Sequence, residues 1–154
     1  MSPSTILLIG TLDTKGQEYA FVRDRIRDAG HDVLVMDIGI TSDPDPAPSM
    51  TAEVSAVDVA RAGGGDLAAM RARADRGSAV DIMQQGACVL VPQLYAAGRF
   101  QAVLGLGGGG GTTMITAAMR TLPVGVPKVM VSTMASGNTA PYVCLLYTSD
   151  AADE

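Results

Sequence analysis

The sequence predicts an α/β fold, a Rossmann-like parallel sheet of strand order 2-1-3-4 with helices on both faces. Two observations predict it. Four short apolar runs rich in β-branched residues end in glycine or polar turns, and helix-like segments separate them. The chain has 154 residues, 47% of them hydrophobic, which is a length and composition typical of one globular domain.

Charge and composition exclude several classes of protein. Eleven basic and 16 acidic residues give a net charge of −5, and no cluster of Lys or Arg indicates a nucleic-acid surface. No stretch approaches the roughly 20 apolar residues of a membrane helix, and the first residues lack the pattern of a signal peptide. Single His31 excludes a multi-histidine metal site, and the distant Cys88 and Cys144 predict neither a disulfide framework nor a metal knuckle. We therefore expect a cytoplasmic protein with no membrane or nucleic-acid partner.

The first segment has the pattern of a strand followed by a helix. Thr5–Gly10 (TILLIG) is typical of a buried strand, and the polar turn Thr11–Gly16 (TLDTKG) follows it. Thr14 and Gln17 have the spacing of a capping box, which places the start of the next helix near Lys15.

A second strand and weaker helical patterns occupy the middle of the chain. His31–Gly39 (HDVLVMDIG) reads as the second strand, and the proline-rich segment 41–50 as a loop. Three helical patterns follow. The first covers residues 51–62, and the second begins at an Asp66 cap and runs to Arg76. The third covers residues 79–97, where Pro92 predicts a kink.

The last third contains the glycine run. Phe100–Leu106 (FQAVLGL) predicts the third strand, which leads directly into five glycines, Gly107–Gly111. Met114–Leu122 predicts a helix and Pro127–Met134 the fourth strand.

The candidate site lies at the carboxyl ends of the first and third strands. In strand order 2-1-3-4 the direction of winding reverses between these two strands, and open α/β sheets bind ligands at such a point. Glycines let backbone N–H groups approach phosphate oxygens, and the helix N-terminus behind them favours an anion. The predicted phosphate contacts are Gly107, Gly108, Gly109, Gly110, Gly111, Thr112 and Thr113, faced by Thr11, Asp13, Thr14 and Lys15.

Each of these assignments has a simpler alternative. The glycine run can be a flexible turn, since it matches G-x-G-x-x-G only loosely and no Walker A lysine follows it. Lys15 can contact phosphate or remain solvated, and Asp13 can contact a metal or hydroxyl or cap the helix. If the glycines bind phosphate, valine at Gly108 or Gly110 should block it, because valine obstructs backbone approach and resists positive φ.

Two further polar positions remain open between a ligand role and a structural one. Asp37, at the end of the second strand, can accept a ribose hydroxyl or cap the next turn. Ser136, Gly137 and Asn138 form a loop that can wrap a phosphate or sugar, or serve as an ordinary turn. A Ser-His-Asp hydrolase is not predicted, because no G-x-S-x-G motif frames a serine.

Three motifs together resemble a known family. GTLDTKGQE (Gly10–Glu18), GRFQAVLGLGGGGGTT (Gly98–Thr113) and VPKVMVSTMASGNTAPYV (Val126–Val143) resemble the ATP-binding domain of the tomato mosaic virus resistance protein Tm-one and its bacterial and fungal relatives. The resemblance implies two Rossmann-like halves in the complete domain, ATP binding, and self-association. The expected cofactor is ATP, with Mg²⁺ as an optional companion. Inhibition of viral replication, which it implies for the plant protein, is not carried over.

The chain departs from the family pattern at three places. Pro92 interrupts a helix that is continuous in the family. The family has serine where this chain has Gly109. Residues 144–154 (CLLYTSDAADE) resemble translated adapter sequence rather than the family's continuation. We therefore expect residues 1–143 to be the N-terminal half of the family's domain and 144–154 a non-native tail. A sheet cut there should expose an edge and an apolar face, and so favour aggregation.

These observations predict nucleotide binding, with ATP favoured by the resemblance. The alternative is a protein-interaction module whose nucleotide pocket is vestigial. A Rossmann dehydrogenase is disfavoured, because the glycine run follows the third strand rather than the first.

Overall fold

Four parallel strands pair in a single sheet of order β2-β1-β3-β4, which confirms the predicted topology. The computed structural model describes residues 3–41, 50–73 and 75–142. The strands are β1 Thr5–Gly10, β2 Asp32–Asp37, β3 Ala102–Gly107 and β4 Lys128–Ser132.

The two central strands stop pairing before either of them ends. β1 pairs with β3 from Ile6↔Ala102 to Ile9↔Gly105. Each strand runs further along its outer neighbour, because β1 reaches Gly10↔Asp37 on β2 and β3 reaches Gly107↔Ser132 on β4. The carboxyl edge of the sheet is therefore open between β1 and β3, where the strand order reverses.

Helices cover both faces of this sheet, as predicted. One face carries α1, and the other carries α2, α4 and α5. The helices are α1 Leu12–Asp28, α2 Ala56–Ala62, α3 Leu67–Arg73, α4 Arg76–Ala96 and α5 Gly109–Arg120, and a 3-10 helix spans Thr133–Ser136. None of the helices within the described ranges combines the length and the apolar character needed to cross a bilayer.

Alternation along the strands divides the core into two clusters. On β1, Leu7 and Ile9 pack with α2, α4 and α5, whereas Leu8 packs with Leu12 and Tyr19 of α1. All five side chains are at most 3% exposed. Burying one Leu or Ile side chain contributes about 1.5–3 kcal/mol, so both layers stabilise the sheet that carries the site.

The first helix begins earlier than the capping-box pattern predicts. α1 starts at Leu12, whose N–H donates to Asp37 Oδ1 at 3.1 Å, and it kinks at Lys15 (φ −133°, ψ 23°). The predicted Thr14–Gln17 box is not among the described hydrogen bonds. Instead, the hydroxyls of Thr14 and Thr11 lie 2.9 Å apart. A tertiary contact from β2 therefore caps this helix, and local sequence could not show it.

The glycine run is also not a loop throughout. Gly108 is the N-cap of α5, and Gly109, Gly110 and Gly111 form its first turn, so the predicted start at Met114 was wrong. Burial of Ile115 and other α5 side chains against the sheet outweighs the low helix propensity of glycine.

Other boundaries shift for similar reasons. α4 runs through Pro92 from Arg76 to Ala96, where a kinked helix over 79–97 was predicted. The predicted helix over 51–62 is the shorter α2. Asp66 caps α3 by accepting from Ala69 N at 2.7 Å, but α3 ends at Arg73 and Arg76 begins α4, so the predicted end at Arg76 was wrong. The expected tail, 144–154, lies outside the described residues.

The remaining strands are shorter than predicted. The second strand was expected to extend to Gly39 but ends at Asp37, and the third begins at Ala102 rather than Phe100. The fourth ends at Ser132, where the 3-10 helix takes over from the predicted continuation to Met134.

Candidate functional site

A cleft of about 480 Å³ opens at the carboxyl edge of the sheet, where β1 and β3 separate. Both predicted loops line it, as the reversal of strand order requires. From the sequence-predicted set, the lining residues are Thr11, Asp13, Thr14, Lys15, Gly108, Gly109, Gly110 and Gly111.

Three helices begin at this cleft. Lining residues lie at the first turns of α1, α4 and α5, through Asp13, Arg76 and Gly109 respectively. The N-terminus of a helix carries about half a unit of positive charge and N–H groups without intrahelical partners. Two of these ends already carry a carboxylate, Asp13 in the first turn of α1 and the N-cap Asp75 of α4. The first turn of α5 is therefore the end that most favours an anion.

The first turn of α5 offers its N–H groups directly. N-cap Gly108 forms no side-chain capping bond, and the helix's first backbone bond runs from Thr112 N to Gly108 O at 2.8 Å. The N–H groups of Gly109, Gly110 and Gly111 precede that bond, so the helix itself supplies them no acceptor.

Glycine is needed for packing at one end of the run only. A Cβ on Gly107 would lie 2.8 Å from Thr112 N, so this residue must be glycine for α5 to approach β3. A Cβ on Gly109, Gly110 or Gly111 would meet nothing within 4 Å. Among the described glycines, positive φ occurs only outside the run, so the expectation that the run needs it was wrong.

Lys15 and two arginines supply positive charge. Lys15 Nζ lies 3.9 Å from Glu18 Oε1, a long contact in an exposed pair that holds the lysine weakly. Arg71 and Arg76, which the sequence did not single out, line the opposite wall, and Arg71 Nε donates to Ile40 O at 3.0 Å.

Asp13 hydrogen-bonds to the backbone of the segment that follows β2. Its Oδ2 accepts from the N–H groups of Ile40 and Thr41 at 2.9 and 2.7 Å. Its Oδ1 is buried and has no partner among the described residues. A buried acceptor without a partner costs about 1–3 kcal/mol, so Oδ1 is a position where a ligand donor or cation would be stabilising.

Asp37 lies beneath the cleft as a backbone cap. Its Oδ1 accepts from Leu12 N and from Gly39 N at 2.8 Å, which favours capping over the ribose alternative. Burial raises the pKa of this carboxyl group above its usual 3.8, and the neighbouring Asp13 raises it further.

Several predicted residues lie outside the cleft lining. Thr112 is buried, and its hydroxyl lies 2.6 Å from Ser132 Oγ, while the Thr113 hydroxyl donates to Gly109 O at 3.0 Å. Gly107 lies beneath the first turn of α5. Exposed Ser136, Gly137 and Asn138 follow β4 and do not line the cleft either. Their roles toward a ligand stay predictions.

The sequence did not indicate the opposite wall. It comes from the end of β2 and from α3, α4 and α5, and it includes Ile40, Thr41, Met70, Arg71, Asp75, Arg76, Ala79, Val80 and Met114. In the sequence, only the charges of Arg71 and Arg76 near Asp75 could have indicated this wall. Their position depends on how three helices cross between β2 and β3, which periodicity does not specify.

The fold and the cleft define a Rossmann-like α/β domain with an open crevice at its switch point. The chain belongs to the Uncharacterised protein family (UPF0261), whose N-terminal domain profile matches residues 4–150.

Bacterial relatives support this assignment. A UPF0261 protein of Clostridium tetani is 40% identical over 138 residues, and one of Rhizobium meliloti is 41% identical over 138 residues. Each match covers 90% of this chain, which spans about a third (33%) of either relative.

A plant relative is more distant. The ToMV susceptible protein tm-1(GCR26) of Solanum lycopersicum is 31% identical over 150 residues, covering 90% of this chain and 20% of the tomato protein. The family resemblance drawn from the three motifs is therefore confirmed.

Proposed function

We propose that this domain binds a nucleotide, with ATP the favoured ligand, in the cleft between the first turns of α1 and α5. The observation that carries the proposal is the first turn of α5, where three successive glycines occupy positions that the fold does not require to be glycine.

These glycines destabilise the free protein. A glycine in a helix interior costs about 0.5–1 kcal/mol relative to alanine, which is an upper limit for these three positions of the first turn. Because a Cβ on Gly109, Gly110 or Gly111 would meet nothing, packing supplies no compensation. A ligand that approaches the backbone closely would compensate for this cost. Phosphate groups bind in this way at glycine-rich helix N-termini.

The charges and shape of the cleft suit the same ligand. Lys15, Arg71 and Arg76 can neutralise a phosphate chain. Met70, Val80 and other apolar lining residues can pack against the sugar and base. A volume of about 480 Å³ lies within the roughly 300–1,000 Å³ range of small-molecule sites.

The ATP assignment draws on the family resemblance, which implies an ATP-binding domain. Mg²⁺ keeps several waters and is usually held by one or two carboxylates together with substrate phosphates. The free Oδ1 of Asp13 fits such a role, and no group of three metal-binding side chains was found within the described ranges. We further propose a cytoplasmic location, where ATP is abundant, and self-association of the full-length protein.

Calorimetric titration with ATP, ADP and NAD tests the proposal. We expect ATP and ADP to bind, and NAD to bind more weakly or not at all. The matched Gly110→Val variant should lose binding yet remain folded, because its side chain enters open space. Absence of binding by all three ligands would overturn the proposal and favour the protein-interaction alternative.

A further inference from the structure

The hydroxyl of Tyr19 lies at the point where β1 and β3 stop pairing. Tyr19 belongs to α1 and is fully buried. Its Oη donates to Ile9 O at 2.7 Å or Leu106 O at 2.8 Å, and it accepts from Leu106 N at 2.6 Å. One side chain thus joins the last paired residue of β1 to the residue of β3 that follows the β1–β3 ladder.

The neighbouring residues leave room for this contact. A Cβ on Gly10 would lie 1.9 Å from the Tyr19 hydroxyl oxygen, so only glycine at that position admits the ring. Gly10 immediately precedes Thr11, and Leu106 immediately precedes Gly107. The hydroxyl therefore contacts residues that lie next to the start of both loops that line the cleft.

We propose that Tyr19 is a positioning residue, whose hydroxyl sets the separation between the Thr11–Lys15 and Gly108–Gly111 walls of the cleft. Without the hydroxyl, Ile9 O, Leu106 N and Leu106 O lose the partner that they share. The side-chain link between β1 and β3 at the end of their ladder is then lost. Burial raises the pKa of this hydroxyl, so it stays protonated and able to donate throughout the physiological pH range. The consequence for ligand affinity rests on the proposed function, whereas the positioning itself does not.

Hydrogen–deuterium exchange of the full chain tests the positioning without any ligand. In Tyr19→Phe we expect protection to fall about tenfold in segments 11–16 and 106–113, the ratio that corresponds to roughly 1.4 kcal/mol for a lost buried hydrogen bond. Peptides from β2 and α4 should keep their protection. Tyr95→Phe is the matched control, because Tyr95 packs on Phe100, with ring centroids 5.7 Å apart, and does not line the cleft.

A second variant distinguishes loss of the hydrogen bond from general destabilisation of the fold. 4-Aminophenylalanine at position 19 keeps a hydrogen-bonding group at the same place and should restore protection in both segments. Unchanged protection in Tyr19→Phe, a uniform fall that includes β2 and α4, or failure of the rescue would each overturn the positioning role.

Nucleotide titration separates this proposal from the proposed function. A selective loss of protection accompanied by about tenfold weaker ATP binding supports both. The same selective loss in a protein that binds no nucleotide supports the positioning role and overturns the proposed function alone.

Discussion

Lys15 interrupts the first turn of α1 at the mouth of the cleft. Its backbone departs from helical geometry, and its side chain is 32% exposed with only a long contact to Glu18. A cation with so little internal pairing can turn toward an anionic ligand at small cost, since exposed pairs contribute about 0–1 kcal/mol.

Replacement of this lysine tests its contact with phosphate. Lys15→Ala should weaken ATP binding by about 1–3 kcal/mol, the range for a charge-assisted hydrogen bond, when measured by calorimetry. Lys128→Ala removes an equal charge at the opposite end of the sheet, where Lys128 Nζ donates to backbone carbonyls, and should leave affinity unchanged. Equal affinities for the wild type and Lys15→Ala would indicate a solvated lysine.

Asp37 predicts a pH dependence of stability. Because burial raises its folded-state pKa above 3.8, the folded protein binds the proton more tightly than the unfolded chain does. The contribution of this group to the free energy of unfolding is therefore full below about pH 3.8 and falls as pH rises through the folded-state pKa.

Asp37→Asn removes that titration and keeps an oxygen that accepts from Leu12 N and Gly39 N. Urea unfolding should show the variant gaining stability relative to wild type as pH rises from 3 to about 7. A difference between the two proteins that is independent of pH would contradict this interpretation.

Sequence predicted one wall of the cleft at the residue scale and missed the other. Asp13 and Lys15 follow a strand directly, so the end of that strand fixes their location. Arg71 and Arg76 lie far from any strand end and reach the cleft only through the packing of α3 and α4. Tyr19 was missed because its role depends on a contact 87 residues away along the chain.

At the scale of elements, the glycine run serves two purposes. Gly107 ends β3 and lets α5 approach it, and the three glycines from Gly109 begin α5 with their Cβ positions open. Strand order and helix placement were predictable, because apolar periodicity is strong in each run. The start of α5 was not predictable, because burial of its side chains against the sheet outweighs the low helix propensity of glycine.

Substitutions at the two ends of the glycine run should affect stability differently. Gly107→Ala should destabilise the fold by about 1–3 kcal/mol, because its Cβ would press on the backbone of Thr112 and Gly111. Gly109→Ser, which places the family's residue in open space, should be tolerated in thermal unfolding. The reverse ranking of the two variants would contradict the assigned packing.

At the scale of the whole molecule, the sheet is unevenly covered. Val129 and Val131 of β4 are 50% and 53% exposed, on the face where α1 packs over the other strands. The edge formed by β2 is different, because Val54 pairs beside it and Glu53 accepts from Val35 N. The expected apolar face is therefore present in the described part of the chain.

This face predicts association of the isolated chain. Val131→Lys should reduce light scattering of concentrated protein, because a lysine on an exposed edge strand disfavours strand-to-strand pairing. Val57→Lys, at an equally exposed position (49%) on α2, should have little effect. Equal reduction by both variants would indicate a general effect of charge.

The affinity for ATP of the Gly110→Ala/Gly111→Ala variant, measured by calorimetry beside the wild type, tests the central claim most directly. We expect at least about tenfold weaker binding in a protein that is no less stable, because alanine favours the helix while its methyl groups occupy the open cleft wall. Unchanged affinity in the folded variant would contradict the claim that these glycines admit a phosphate.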